Sequence, residues 1–200
     1  MPEVANYFSS EQDTYLNPDT HILENIPGLE SQDELDRFEE ILFQANFEEA
    51  TTYAQNLANF GLDAWKVIHQ ICFSEVYKWA GEIRTVRISK GTTVFAYPEH
   101  IESESRKIFA ELNNLLETEK LTLDNAAELF ADINVLHPFR EGNGRTQRIL
   151  YSEVLRRIGY LVDYNLTSQD EMIEAMIYGY NANYELIKKL FYKISFKESP

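Results

Sequence analysis

The sequence predicts a mainly α-helical domain of six to eight helices with one short β-hairpin. Three observations carry this. Apolar residues recur every three or four positions through most of the chain after residue 31. One segment, 85–96, changes to β-branched runs. No low-complexity tract, internal repeat or Gly/Ser linker interrupts the pattern, so one domain is expected.

The elements follow in order. Residues 1–30 are polar, with Asn17-Pro18-Asp19 and Pro27-Gly28 as breakers, and read as an arm packed on the domain. Ser31-Gln32-Asp33-Glu34 resembles a capping box, opening a helix with Leu35, Phe38, Ile41, Leu42 and Ala45 on one face. Gly61-Leu62-Asp63 opens a longer helix in which Trp65, Ile68, His69, Cys72, Val76 and Trp79 recur, with Gly81 at its end. The runs 85–89 and 92–96, joined by Lys90-Gly91, read as a hairpin that Pro98 closes. Helical spacing resumes over 99–117, 122–136, 143–159, 168–180 and 182–193, and residues 196–200 are a tail.

Composition narrows the partners. A 200-residue chain with 44% apolar residues can build one sizeable core. No apolar run is long enough for a transmembrane helix, and Met1-Pro2-Glu3-Val4 does not resemble a secretory leader. Cys72, the single cysteine, fits a reducing compartment. The net charge is −15, and residues 1–50 carry thirteen acids against Arg37 alone. Nucleic-acid binding through a general basic field is therefore not expected. The acidic face is a solvated surface or a docking face for a basic partner.

The chemistry concentrates in His137-Pro138-Phe139-Arg140-Glu141-Gly142-Asn143-Gly144-Arg145-Thr146-Gln147-Arg148. An apolar helix precedes it, and Pro138 drives His137 out of the helical region. That leaves a histidine, able to exchange a proton near neutral pH, at a helix end. Phe139 faces inward as a loop anchor. Glu141 is a hard oxygen ligand suited to Mg²⁺ beside phosphates. A zinc site on His137 and Glu141 is disfavoured, because no second His or Cys stands at ligand spacing. Gly142 and Gly144 permit close backbone approach, and Asn143 tolerates the left-handed region. The loop feeds directly into a helix, whose first N–H groups lack partners and suit a phosphate. Arg145 and Arg148 share one face of that helix's positive end, an arrangement that calls for an anion. His21 and His100 read as surface residues and His69 as a satisfied core histidine.

This stretch matches the signature of the Fic family, His-Pro-Phe-x-Asp/Glu-Gly-Asn-Gly-Arg-x-x-Arg, at every specified position. Tyr77-Lys78-Trp79-Ala80-Gly81-Glu82-Ile83-Arg84, Ile88-Ser89-Lys90-Gly91 and Asn134-Val135-Leu136 also resemble Fic sequence. Asp13 to Pro18 and Leu23-Glu24-Asn25 are similar to the arm of bacterial Fic toxins that pair with small antitoxins. The resemblance implies the Fic fold over 31–195, with the hairpin as a flap. It implies transfer of AMP from ATP to a Tyr, Ser or Thr hydroxyl, with ATP as co-substrate and Mg²⁺ as cofactor. In it His137 is the base and Glu141 the metal ligand. Gly142, Asn143, Gly144, Arg145 and Arg148 hold the phosphates. The flap residues Ile88, Lys90, Gly91, Thr92 and Phe95 dock the target, and Asn181 or Asn183 meets the adenine.

The resemblance further implies a protein target, of which a type II topoisomerase subunit is one candidate, and a small antitoxin partner. It places the chain in the cytoplasm, or in a cell into which another system delivers it. Two alternatives stay open: a Doc-like phosphotransferase, which carries lysine where Gly144 stands, and a non-catalytic nucleotide-binding module. Thr20 to Asn25 also fits the family's inhibitory pattern Ser/Thr-x-x-x-Glu-Gly/Asn. Pro18 and Pro27 leave little room for a helix there, so restraint by a separate protein is expected.

Overall fold

The computed structural model describes residues 13–198. The acids Glu3 and Glu11, residues 1–12 of the arm and residues 199–200 of the tail lie outside it. Seven α-helices are present among the described residues: α1 (Gln32–Gln55), α2 (Leu62–Phe73), α3 (Pro98–Glu117), α4 (Leu123–Leu136), α5 (Asn143–Arg157), α6 (Gln169–Tyr180) and α7 (Glu185–Ile194). Two antiparallel strand pairs join them: a hairpin of β1 (Ser89–Lys90) with β2 (Thr93–Val94), and β3 (Tyr160–Val162) with β4 (Ser195–Lys197), which brackets α6 and α7.

α4 and α5 form the centre. α3, α6 and α7 pack on α4, while α1, α2 and β3 pack on α5. Apolar spacing explains this, since Ile133 of α4 and Leu150 and Val154 of α5 are fully buried with Phe191 of α7. Truncating one such side chain to alanine costs about 2–5 kcal/mol. A smaller cluster of Val86, Ile88 and Phe95 lies under the first hairpin, with Tyr15 of the arm against it.

Several local expectations change. α2 ends at Phe73, not near Gly81, and residues 74–81 fold as successive turns. Val76 and Tyr77 remain buried there, so helical spacing survived without a helix. The carbonyl of Val76 accepts the Ile26 N–H, and Gly81, at φ +82°, donates its N–H to His69 Nδ1. The capping box at Ser31 does not form, whereas Ser168 and Glu171 make one at α6. The turn of the first hairpin is Gly91-Thr92, with Lys90 already in β1. β4 runs two residues into the expected tail, because Leu161 of β3 pairs with Phe196. Those three-residue strands left no alternation to detect.

Candidate active site

The loop 137–142 links the end of α4 to the start of α5. His137 caps α4 in the left-handed region, at φ 37° and ψ 65°, and not in the extended region that a following proline favours. Such a backbone costs of order 1–3 kcal/mol and persists only where its surroundings fix it. Arg84 does the fixing. Its guanidinium, 1% exposed, donates from Nε to His137 O (2.7 Å), from Nη1 to Val86 O (2.7 Å) and from Nη2 to Ala96 O (2.5 Å) and Leu136 O (3.3 Å). A cation suits this place, because the carbonyl end of α4 is the negative pole of its dipole. Arg84 also donates its backbone N–H to Pro138 O.

The imidazole of His137 is held on two sides. Phe95 stacks on it, with centroids 3.7 Å apart and planes at 16°. Nδ1 lies 2.6 Å from Asn134 O. A carbonyl can only accept, so Nδ1 carries a proton, and whenever the ring is neutral Nε2 holds the lone pair. That is the tautomer a general base needs.

Glycine chemistry shapes the turn. Gly142 sits at φ +79°, and a Cβ there would lie 2.5 Å from Phe73 Cε2. Its N–H donates to Glu141 Oε1 at 2.8 Å. The Asn143 side chain clamps the loop by exchanging two hydrogen bonds with the Phe139 backbone. What Asn143 offers an anion is therefore its N–H at the first position of α5, beside that of Gly144. His69 accepts the Gly81 N–H at Nδ1 and donates from Nε2 to Glu141 O. Burial outweighs that bond, helped by nearby Arg145, and lowers the His69 pKa to about 3. His69 is a neutral core histidine that positions the loop.

The two arginines part company. Arg145 meets Glu39 of α1, Nη2 to Oε2 at 2.5 Å, and packs over the Phe73 ring. Burial works against its charge, but Glu39 and Glu141 outweigh that and hold its pKa above the ordinary value. The expected crowding of two cations is thus half resolved inside the protein. The Arg148 guanidinium lies 6.0 Å from the Tyr164 ring, and no carboxylate pairs with it among the described residues. Arg140 is buried against Asp13 of the arm, Nε to Oδ2 at 2.8 Å.

These groups line a cleft of ≈ 810 Å³, part of it open to solvent. His137, Glu141, Gly144, Arg145 and Arg148 form one wall, Lys90, Thr93 and Phe95 of the hairpin another, and Met172, Ile173, Met176 and Ile177 of α6 a third. In the hairpin Gly91, Thr92 and Val94 are exposed, while Ile88 and Phe95 are buried. Asn181 and Asn183 sit exposed on the turn after α6, where Asn181 bonds back to Ile177 O, and neither lines the cleft. Thr20 to Asn25 holds no helix. Glu24 is exposed and its N–H pairs with Tyr15 O.

Sequence reasoning did not single out Arg84, Glu39 or Asp13. Glu39 left one signal, a carboxylate between Leu35 and Phe43 on the buried stripe of α1.

Residues 59–155 match the Fic/DOC family. Over 183 residues the chain is 36% identical to the probable protein adenylyltransferase y4lH of Sinorhizobium fredii, covering 88% of this chain and 92% of that protein. The chain belongs to the Fic/DOC family. It is also 34% identical over 188 residues to the protein adenylyltransferase VbhT of Bartonella schoenbuchensis. That match covers 92% of this chain but 39% of VbhT, so the chain spans about two-fifths of that protein's length. The Fic domain of a Bartonella quintana effector, solved with bound ADP, superposes with a TM-score of 0.78 at 25% identity, covering 92% of this chain and 95% of that one. BepC of Bartonella tribocorum, solved with AMPPNP, shares the fold with a TM-score of 0.78 at 22% identity, covering 92% and 97%.

Proposed function

We propose that this chain transfers AMP from ATP to a Tyr, Ser or Thr hydroxyl of a target protein. The observation that carries the reading is the contact of His137 Nδ1 with Asn134 O, which leaves Nε2 as the base, in a cleft that also holds a helix N-terminus and Arg148. Nε2 takes the hydroxyl proton as the oxygen attacks the α-phosphorus. The bond from that phosphorus to its bridging oxygen breaks, and pyrophosphate leaves. The N–H groups of Asn143 and Gly144 meet the charge that develops on the α-phosphate, and Arg148 meets the γ-phosphate. Holding both reactants in line supplies much of the rate. Relatives named protein adenylyltransferase, similar over most of this chain, support the assignment.

Glu141 fits a Mg²⁺ ion by the chemistry of its donor. One carboxylate in the phosphate cleft suffices, since Mg²⁺ takes its other ligands from phosphates and water. Bound there, the ion would neutralise phosphate charge.

A target segment would add as a strand along the exposed side of the hairpin at Gly91, Thr92 and Val94. A type II topoisomerase subunit is the first target to test. A separate small helical antitoxin is the restraint we propose, supported by the exposed, non-helical position of Glu24. The chain would act in the cytoplasm, or in a cell that receives it from a secretion system.

Parallel reactions with α-³²P-ATP and γ-³²P-ATP test the chemistry. AMP transfer labels the target from the α position alone and releases pyrophosphate. Label from the γ position means phosphate transfer of the Doc kind, and no label from either means a binding module.

A further inference from the structure

Arg145 stands between two carboxylates that the proposed reaction uses differently. Its Nη2 is 2.5 Å from Glu39 Oε2 and 3.5 Å from Glu141 Oε1. The three side chains are 13%, 8% and 13% exposed in that order, so solvent screens them little. Glu39 reaches the site from α1, and its other oxygen accepts the Tyr77 hydroxyl. Glu141 Oε1 accepts the Gly142 N–H.

A guanidinium presents a flat fork of donors and closes on a carboxylate bidentately when one is offered. Glu141 precedes Arg145 by four residues, the spacing at which such pairs meet on a helical turn. With Glu141 alone in reach, Arg145 would close on it and cancel its charge. Glu39 takes the guanidinium instead, at the shorter distance and with Tyr77 holding it in place. We infer that Glu39 is a positioning residue: by taking the shorter, 2.5 Å contact with Arg145 and leaving Glu141 the longer one of 3.5 Å, it leaves the Glu141 carboxylate able to meet a divalent cation. Two carboxylates and one guanidinium leave one net negative charge beside the loop, and removing Glu39 leaves none. The inference rests on the proposed metal role of Glu141.

The test compares wild type with Glu39→Gln, using Mn²⁺ binding by electron paramagnetic resonance with AMPPNP present, and Mg²⁺ dependence of AMP transfer. Mn²⁺ affinity falls, and the half-saturating Mg²⁺ concentration rises, by about fivefold or more, the effect of one lost charge at short range in a poorly screened site. Affinity for AMPPNP without metal stays level or tightens, because one negative charge beside the phosphates is gone. A merely structural role gives the opposite pattern: lower thermal stability and slower turnover that excess Mg²⁺ does not restore, with metal affinity unmoved. Unchanged Mn²⁺ affinity in the folded variant overturns the inference, as does parallel loss of metal-free nucleotide binding. If Glu39→Gln does not fold, Glu39→Asp supplies the test, since its shorter reach loosens the hold on Arg145 and must weaken Mn²⁺ binding measurably. The Mn²⁺ measurement needs no turnover. A chain that transfers no AMP would sink the proposed function and leave this result standing.

Discussion

Gly142→Ala strikes two constraints at once. The residue sits at φ +79°, where a left-handed backbone costs an L-residue with a Cβ roughly 1–2 kcal/mol. The new methyl would also lie 2.5 Å and 2.9 Å from Phe73 Cε2 and Cζ, and 3.1 Å from His69 Nε2. Phe73 has little room to yield: it is buried, 4.8 Å from the His69 ring and 6.0 Å from the Phe43 ring by centroids. Overpacking of this kind costs about 1–3 kcal/mol, so the two terms together give about 2–5 kcal/mol. At roughly 2–4 °C per kcal/mol for a domain of this size, melting should fall by about 5–15 °C. Activity should fall further than stability. Gly142 holds Glu141 through its N–H, and displacing reacting groups by about 1 Å can cost about a hundredfold in rate. Thermal melts by circular dichroism and transfer of α-³²P-AMP measure the two effects. Phe73→Leu in the same chain should recover part of the lost stability, because it removes the ring edge and leaves the backbone strain. A single variant that melts within a degree of wild type and transfers AMP at the normal rate would refute the argument.

His137→Ala should lower transfer about 10²–10⁴-fold and leave AMPPNP binding by calorimetry nearly intact, since the phosphate contacts come from the loop and Arg148. Glu24→Gly should change activity less than about twofold in the purified chain, as expected of an exposed loop residue; strong activation would make residues 20–25 the inhibitory element. Glu171 has its pKa lowered to about 2, chiefly by its bond from Lys193 and then by the Ser168 N–H. A depressed carboxylate stabilises the fold above its ordinary pKa of 4.5 and loses that contribution as pH falls toward 2. Glu171→Gln should therefore melt below wild type at neutral pH, with the gap closing through that acid window in a pH series of melts.

The sequence carried what is local and periodic. α3, α4 and α6 begin and end close to their expected limits, because each has an apolar stripe and a proline or polar cap at its start. The motif was legible for the same reason, its residues being neighbours in the chain. What did not show was whatever spans distance. Arg145 reads from the sequence as a phosphate ligand alone, and its bond to Glu39, 106 residues away, shows only in the fold. The end of α2 misled because Val76 and Tyr77 stay buried in turns, so their spacing still matched a helix. Backbone strain at His137 also hid. Pro138 announces that the helix stops, but only the Arg84 contacts explain how an L-residue settles in the left-handed region.

If a target docks on the hairpin as proposed, Arg84 bears on which residue is chosen. One flat group grips the backbone on both sides of the hairpin, at Val86 and Ala96, and the backbone of His137 itself. Hairpin and base therefore behave as a jig, with the distance between them set before any target arrives. A segment laid along such a jig presents alternate side chains to opposite faces, and a slip by one residue turns the facing hydroxyl away. Selection would then work as a ruler with a two-residue graduation. A tyrosine, serine or threonine would be chosen by its count along the docked strand, and neighbours of the same chemistry one step away would be spared.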